Sequence, residues 1–195
     1  LNANSREAIL AAARRTAQAH GYSGLNFRDL AAEVGIKAPS IYHHFASKAD
    51  LGAAVAKRYW EDAAADLETI SKDSADPLRA LHEYPNIFRK SLESGNRLCL
   101  CSFMSAEYDD LPGDVQKEVQ AFAEINVAWL SKTLVAAGLV GRGASEARAR
   151  SIFAAVAGAQ LMARSRSDIS LFDALIDGYR TAGLLPGKKQ RVRRT

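Results

Sequence analysis

The side chains best equipped for chemistry crowd into one short stretch. Lys37, Ser40, Tyr42, His43 and Lys48 bring two ammonium groups, two hydroxyls and an imidazole within a dozen positions. Groups of this kind hold phosphate oxygens and base edges, the lysines through charge-assisted hydrogen bonds. Metal chemistry is a poorer fit. His43 and His44 are adjacent, so on a helix they point about 100° apart. His20 precedes Gly21 and reads as a C-terminal cap interacting with the helix dipole. Cys99 and Cys101 are the only cysteines. On a helix they point about 200° apart, too far round for an intrachain bridge, and a CxC without further Cys or His is poor metal spacing. They are expected to be free thiols. Cys99, with Arg97 close by and a helix start expected there, could be a reactive thiolate or simply a small buried apolar residue. The sequence has no GxSxG, HExxH or phosphate-loop pattern, and Gly141-Arg142-Gly143 lacks a third glycine. No catalytic residue, metal or cofactor is expected.

The elements that must position these groups are all helices, with no alternating strand pattern. Helices are expected over Ser5–His20, with Ser5 as N-cap and Gly21 as the stop, then over Phe27–Val34 and Ala38–Phe45. A long helix should start at Ser47, whose hydroxyl and Asp50 form an S-x-x-D cap, and reach about Ser71. Further helices are expected over Asp76–Ser94, with Pro85 inside, over Arg97–Glu107, and from Pro112 to Ala137. Ser145–Arg166 and Ser170–Leu184 complete the series. Phe27–Val34 and Ala38–Phe45, joined at Gly35, form a helix-turn-helix. Asn26 caps the first helix, and Leu30, Val34, Ile36, Ile41 and Phe45 face the core. Pro39 suits the first turn of the second helix. Lys37, Ala38, Ser40, Tyr42, His43 and Lys48 are left on the outer face and at helix starts, where a recognition helix meets the major groove. Asn26, at the entry, is grouped with them.

Gly21-Tyr22, Asn26–Leu30, Ala31–Gly35, Ala38-Pro39-Ser40-Ile41-Tyr42-His43-His44-Phe45 and Ser47-Lys48-Ala49-Asp50-Leu51 resemble the N-terminal domain of TetR-family regulators. The resemblance covers roughly residues 5–52. It implies a nine-helix all-α plan, with an N-terminal three-helix DNA-binding domain and a C-terminal helical domain for ligand binding and dimerisation. It also implies that Ser40, Tyr42, His43 and Lys48 contact operator DNA, and that the last two long helices form a homodimer. The expected function is a transcriptional repressor released by a small-molecule inducer or a reactive electrophile. Lys37 and Pro39 stand where such regulators often have Ser/Thr and Gly, replacing a hydroxyl cap with a rigid start.

The corresponding domains are 1–47, 48–187 and a basic tail, 188–195. Residues 1–60 carry eight Lys/Arg against four Asp/Glu, residues 61–187 carry thirteen against eighteen, and residues 188–195 carry five basic and no acidic residues. A basic head on an acidic body suits a polyanionic partner. In the body, Tyr59, Trp60, Phe88, Cys99, Phe103, Phe122, Asn126 and Trp129 are candidates to line a ligand pocket, Asn126 as a polar group among aromatics. Phe153, Val156, Ala157, Gln160, Phe172, Leu175, Ile176 and Tyr179 are the candidates for the dimer seam. With 48% apolar residues, no apolar run near 18–20 residues and a polar start at Leu1, neither a membrane span nor a secretory signal is expected, and the cytoplasm is the expected location.

Overall fold

The computed structural model describes residues 3–187; the basic tail lies outside the described residues. Among the described residues there are ten α-helices, one 3-10 turn and no strand. They are α1 (Ala3–His20), α2 (Phe27–Val34), α3 (Ala38–Tyr42), α4 (Lys48–Asp73), α5 (Pro77–Glu83), α6 (Asn86–Glu93), α7 (Leu100–Ser105), the 3-10 turn Tyr108–Asp110, α8 (Gly113–Ala136), α9 (Arg142–Arg166) and α10 (Ile169–Thr181). None of the described helices is long and apolar enough to cross a membrane.

The helices fall into two compact units. The first comprises residues 1–63 and 98–123. In α1, Ile9, Ala13 and Ala17 recur every fourth residue and are buried with Leu10 and Ala12, so one face of the helix makes the core. Gly21 ends α1 at φ 71°, its N–H bonded to Ala17 O at 2.9 Å. α1 starts at Ala3, so Ser5 lies inside its first turn and is not the N-cap the sequence suggested. Leu30, Ala31, Ile41, Phe45, Leu51 and Val55 close the core from α2, the end of α3 and α4.

The second unit comprises residues 64–97 and 124–195. The helix expected over Asp76–Ser94 is two, broken at Tyr84-Pro85. Proline lacks the N–H to continue the ladder, and this break raises the count above nine. Ala149, Ile152, Val156, Ala159 and Ala163 of α9 are buried with Phe172 and Ile176 of α10. Asp168 caps α10, accepting from the amides of Ser170 and Leu171 at 2.9 and 3.2 Å. The Asp168 carboxyl is held below its usual range, chiefly by the Ser170 hydroxyl and then by the Leu171 amide.

Candidate functional site

The helix-turn-helix is built from its caps inward. Asn26 sits at φ −138° and ψ 126°, and its side-chain oxygen accepts from Arg28 N at 2.8 Å and Asp29 N at 3.4 Å. That oxygen is thus occupied in starting α2. Gly35 ends α2 in the left-handed region, φ 75° and ψ 31°, with Ile36 N bonded back to Ala31 O at 2.9 Å. A non-glycine residue would be strained there. Lys37 precedes α3 without a side-chain cap, and Pro39 lies in the first turn.

α3 ends at Tyr42, three residues earlier than its pattern suggested. The amides of His44 and Phe45 both bond Ile41 O at 2.9 Å, which tightens the chain into a turn. Ile41 and Phe45 anchor this short element in the core, while Ala38 and Ser40 are half-buried and Lys37 and His43 exposed. Tyr42 is 60% exposed, and its ring lies edge-on to Phe27 at 4.9 Å. Arg28, in the first turn of α2, is also exposed and was not among the residues singled out from the sequence.

Lys48 is placed more firmly than its sequence position alone could tell. Its Nζ donates to Ser23 O at 3.0 Å and lies 4.8 Å from the centre of the Tyr22 ring. The same turn is gripped from the other side by Glu107, whose carboxylate accepts from Tyr22 N at 2.6 Å and Ser23 N at 3.2 Å. Gly21 makes room for it: a Cβ there would fall 2.2 Å from Glu107 Oε2. A second tie within this unit is buried, Gln18 Nε2 donating to Leu98 O at 3.0 Å. Glu107 and Gln18 escaped the sequence reading because their partners are backbone groups 80 or more positions away.

The candidate ligand-pocket residues divide between the two units. In the first, Tyr59 is buried, tilted against Phe122 at 5.6 Å, with the Arg14 guanidinium 4.7 Å from its ring centre. Trp60 and Phe103 are half-buried, and Trp60 Nε1 donates to Glu118 at 2.7 Å. Cys99 and Cys101 are free and buried. Of the two readings of Cys99, the buried apolar residue fits better than the reactive thiolate: burial pushes its thiol pKa up, and Cys101 is raised further by the same cause. Both thiols should therefore resist iodoacetamide at pH 7.5 in the folded protein and react fully in urea. Fast stoichiometric labelling of the folded chain would contradict this.

In the second unit, Asn126 is fully buried, and its side-chain oxygen accepts from the Tyr84 hydroxyl at 3.0 Å. It therefore serves the interior as the chain stands, not an open lining. Tyr84, which the sequence reading did not single out, also stacks on Trp129 at 5.7 Å and meets Phe88 edge-on at 5.8 Å. Tyr84→Phe keeps the packing but removes the donor, at a cost of about 1–2 kcal/mol. A clear fall in melting temperature is expected, and an unchanged one would refute the role. Trp129 lines an open pocket of about 440 Å³ in this unit.

Four of the candidate dimer residues need correction. Val156, Phe172 and Ile176 are buried in the chain's own core, as is Gln160, whose Nε2 donates to Phe88 O at 2.6 Å. They are satisfied internally and present nothing to a partner. Phe153 meets Phe88 edge-on at 6.2 Å, and Ala157, Leu175 and Tyr179 are half-buried. The apolar surface that α9 leaves open is instead Leu161, 58% exposed, and Met162, 49% exposed, with Ala154 on the same helix.

Comparison with known proteins agrees with this geometry. Residues 9–55 match the family described as "Bacterial regulatory proteins, tetR family". An HTH-type transcriptional repressor, AcnR, of Corynebacterium efficiens is 40% identical over 83 residues; the match spans 42% of this chain and 43% of that repressor. The chain thus matches less than half the length of this curated relative. Two solved structures are similar nearly end to end, each 29% identical with a TM-score of 0.85. A TetR transcriptional regulator from Legionella pneumophila is matched over 93% of this chain and 97% of that one. A TetR-family transcriptional regulator from Agrobacterium tumefaciens is matched over 92% and 97%.

Proposed function

We propose that the chain is a member of the TetR family of transcriptional regulators and a cytoplasmic operator-binding repressor acting as a homodimer. The observation that carries this reading is the outer face of the helix-turn-helix. Tyr42 stands 60% exposed beside Lys37 and His43, while Ile41 and Phe45 fix α3 from beneath. An aromatic phenol so exposed gains by burial in a groove, and the neighbouring Lys37 ammonium by meeting phosphate. Ala38, Ser40, Tyr42 and His43 approach base edges and the sugar-phosphate wall; Lys37 and Lys48 neutralise phosphates, and Asn26 orders the adjoining helix.

Dimerisation uses the faces of α9 and α10 that Leu161, Met162, Ala157 and Leu175 leave open. It is required if two half-sites about 34–36 Å apart are read together. A small-molecule inducer bound in the second unit holds the dimer at a spacing that no longer fits the operator. Inducer and DNA then weaken each other's binding by the same factor. With both thiols buried, a non-covalent inducer is favoured over an electrophile.

A mobility-shift assay with the DNA upstream of the chain's own gene tests the reading. A complex resisting a large excess of scrambled duplex is expected. Equal affinity for both DNAs at low salt would overturn it.

A further inference from the structure

Resting on the reading of an inducer site in the second unit, we propose that the open pocket there binds a small planar aromatic monocarboxylate. The pocket lies at the C-terminal end of α4, the start of α5 and the last turns of α8, with a volume of about 440 Å³. That is within the range of small-molecule sites.

The wall is ready for an aromatic ring. Trp129 is held by Tyr84 stacked on it at 5.7 Å with 18° between planes, and by its Nε1 donating to Ser71 Oγ at 2.9 Å. A side chain fixed in this way loses little freedom when a ring packs beside it. Pro77, Ala80 and Ala136 add apolar surface.

The polar groups decide the ligand's charge. Ser71 is saturated, because its hydroxyl also donates to Leu67 O at 3.1 Å. The Thr133 hydroxyl hydrogen is engaged by Trp129 O at 2.7 Å. Lys72 is compensated by Glu68, which also lines the pocket, at 3.5 Å. Two donors then remain. The Ser74 hydroxyl, on a residue only 9% exposed, has no protein hydrogen-bond partner among the described residues. Lys132 lines the pocket and has no ion-pair partner among the described residues. Ser74 Oγ is not among the fully buried polar atoms left without a partner, so it faces the open space of the pocket. A free hydroxyl and one uncompensated ammonium facing the same space call for an acceptor carrying a single negative charge, and a carboxylate supplies it. One surplus cation suits a monoanion better than a phosphate dianion.

The test is calorimetric titration of the full chain, without DNA, using 2-naphthoate and its uncharged isostere 2-naphthamide. The acid should bind at least about tenfold tighter than the amide, the difference a charge-assisted hydrogen bond makes. Lys132→Met should erase that preference while leaving the amide's affinity unchanged, and Ser74→Ala should weaken both probes. Lys132 is exposed, so its replacement leaves the fold intact. Equal binding of acid and amide, no binding of either at millimolar concentration, or a preference that survives Lys132→Met would each overturn the proposal. Operator release is then measured separately. Binding as stated with an intact operator complex would sink the inducer reading but leave the ligand assignment standing, so the two fail distinguishably.

Discussion

Gly21→Ala is expected to destabilise the first unit by about 3 kcal/mol, and the reason lies in two effects that can be separated. The residue sits at φ 71°, in the left-handed region, which costs a residue with a Cβ roughly 1–2 kcal/mol. The new methyl would also lie 2.2 Å from Glu107 Oε2, so the carboxylate must leave the two amides it accepts from. Hydrogen bonds to a charged group contribute about 1.5–3 kcal/mol. Glu107→Ala alone should cost the second part. Combined with Gly21→Ala it should cost about as much as Gly21→Ala alone and clearly less than the sum, because the lost hydrogen bonds count once and only the backbone strain is added to them. Urea denaturation of the four chains reads this directly. An unchanged midpoint for Gly21→Ala, or strict additivity of the pair, would contradict it.

The second large effect is on DNA. Tyr42→Ala removes the most exposed aromatic of the helix-turn-helix without touching the core, and a fall in operator affinity of about tenfold to a hundredfold is expected. Tyr42→Phe separates the hydroxyl from the ring. Lys48→Ala should behave differently. Losing a phosphate contact weakens binding evenly across sequences and reduces the salt dependence by about one unit of slope per site. Because Lys48 also holds Ser23 O at 3.0 Å, it must be compared with Glu107→Ala, which loosens the same turn without removing a cation. Fluorescence anisotropy at three salt concentrations distinguishes them. Identical slopes for Lys48→Ala and the parent would show that the lysine serves only the fold.

What could be read beforehand and what could not follows from the range of the interactions. Helix α2, its Asn26 cap, the Gly35 turn and the Ser47 cap of α4, with Ser47 Oγ accepting from Asp50 N at 3.1 Å, are local consequences of residue type. They were legible. The outward face of α3 was legible too, because Ile41 and Phe45 set its inward one. Its early end was not, since nothing in His43-His44 marks the point where Ile41 O takes two amides. The dimer candidates erred for a related reason: an apolar residue on a long helix announces that it is buried, not whether its own chain or a partner buries it. Phe172 and Leu175 look alike in sequence and differ only in the finished packing. Cys99 carried a local signal, a helix start and a nearby arginine, and burial outweighed both. Tyr84, Gln18 and Glu107 depend on partners at least 40 positions distant, which no periodicity encodes.

Hydroxyl-radical footprinting of the bound upstream duplex probes the central claim, that two copies of α3 lie in successive major grooves. Two protected patches on one face of the duplex, centred roughly one helical turn, 34–36 Å, apart and both lost in Tyr42→Ala, are the predicted result. Protection confined to a single patch, or spread evenly along the duplex, would contradict it.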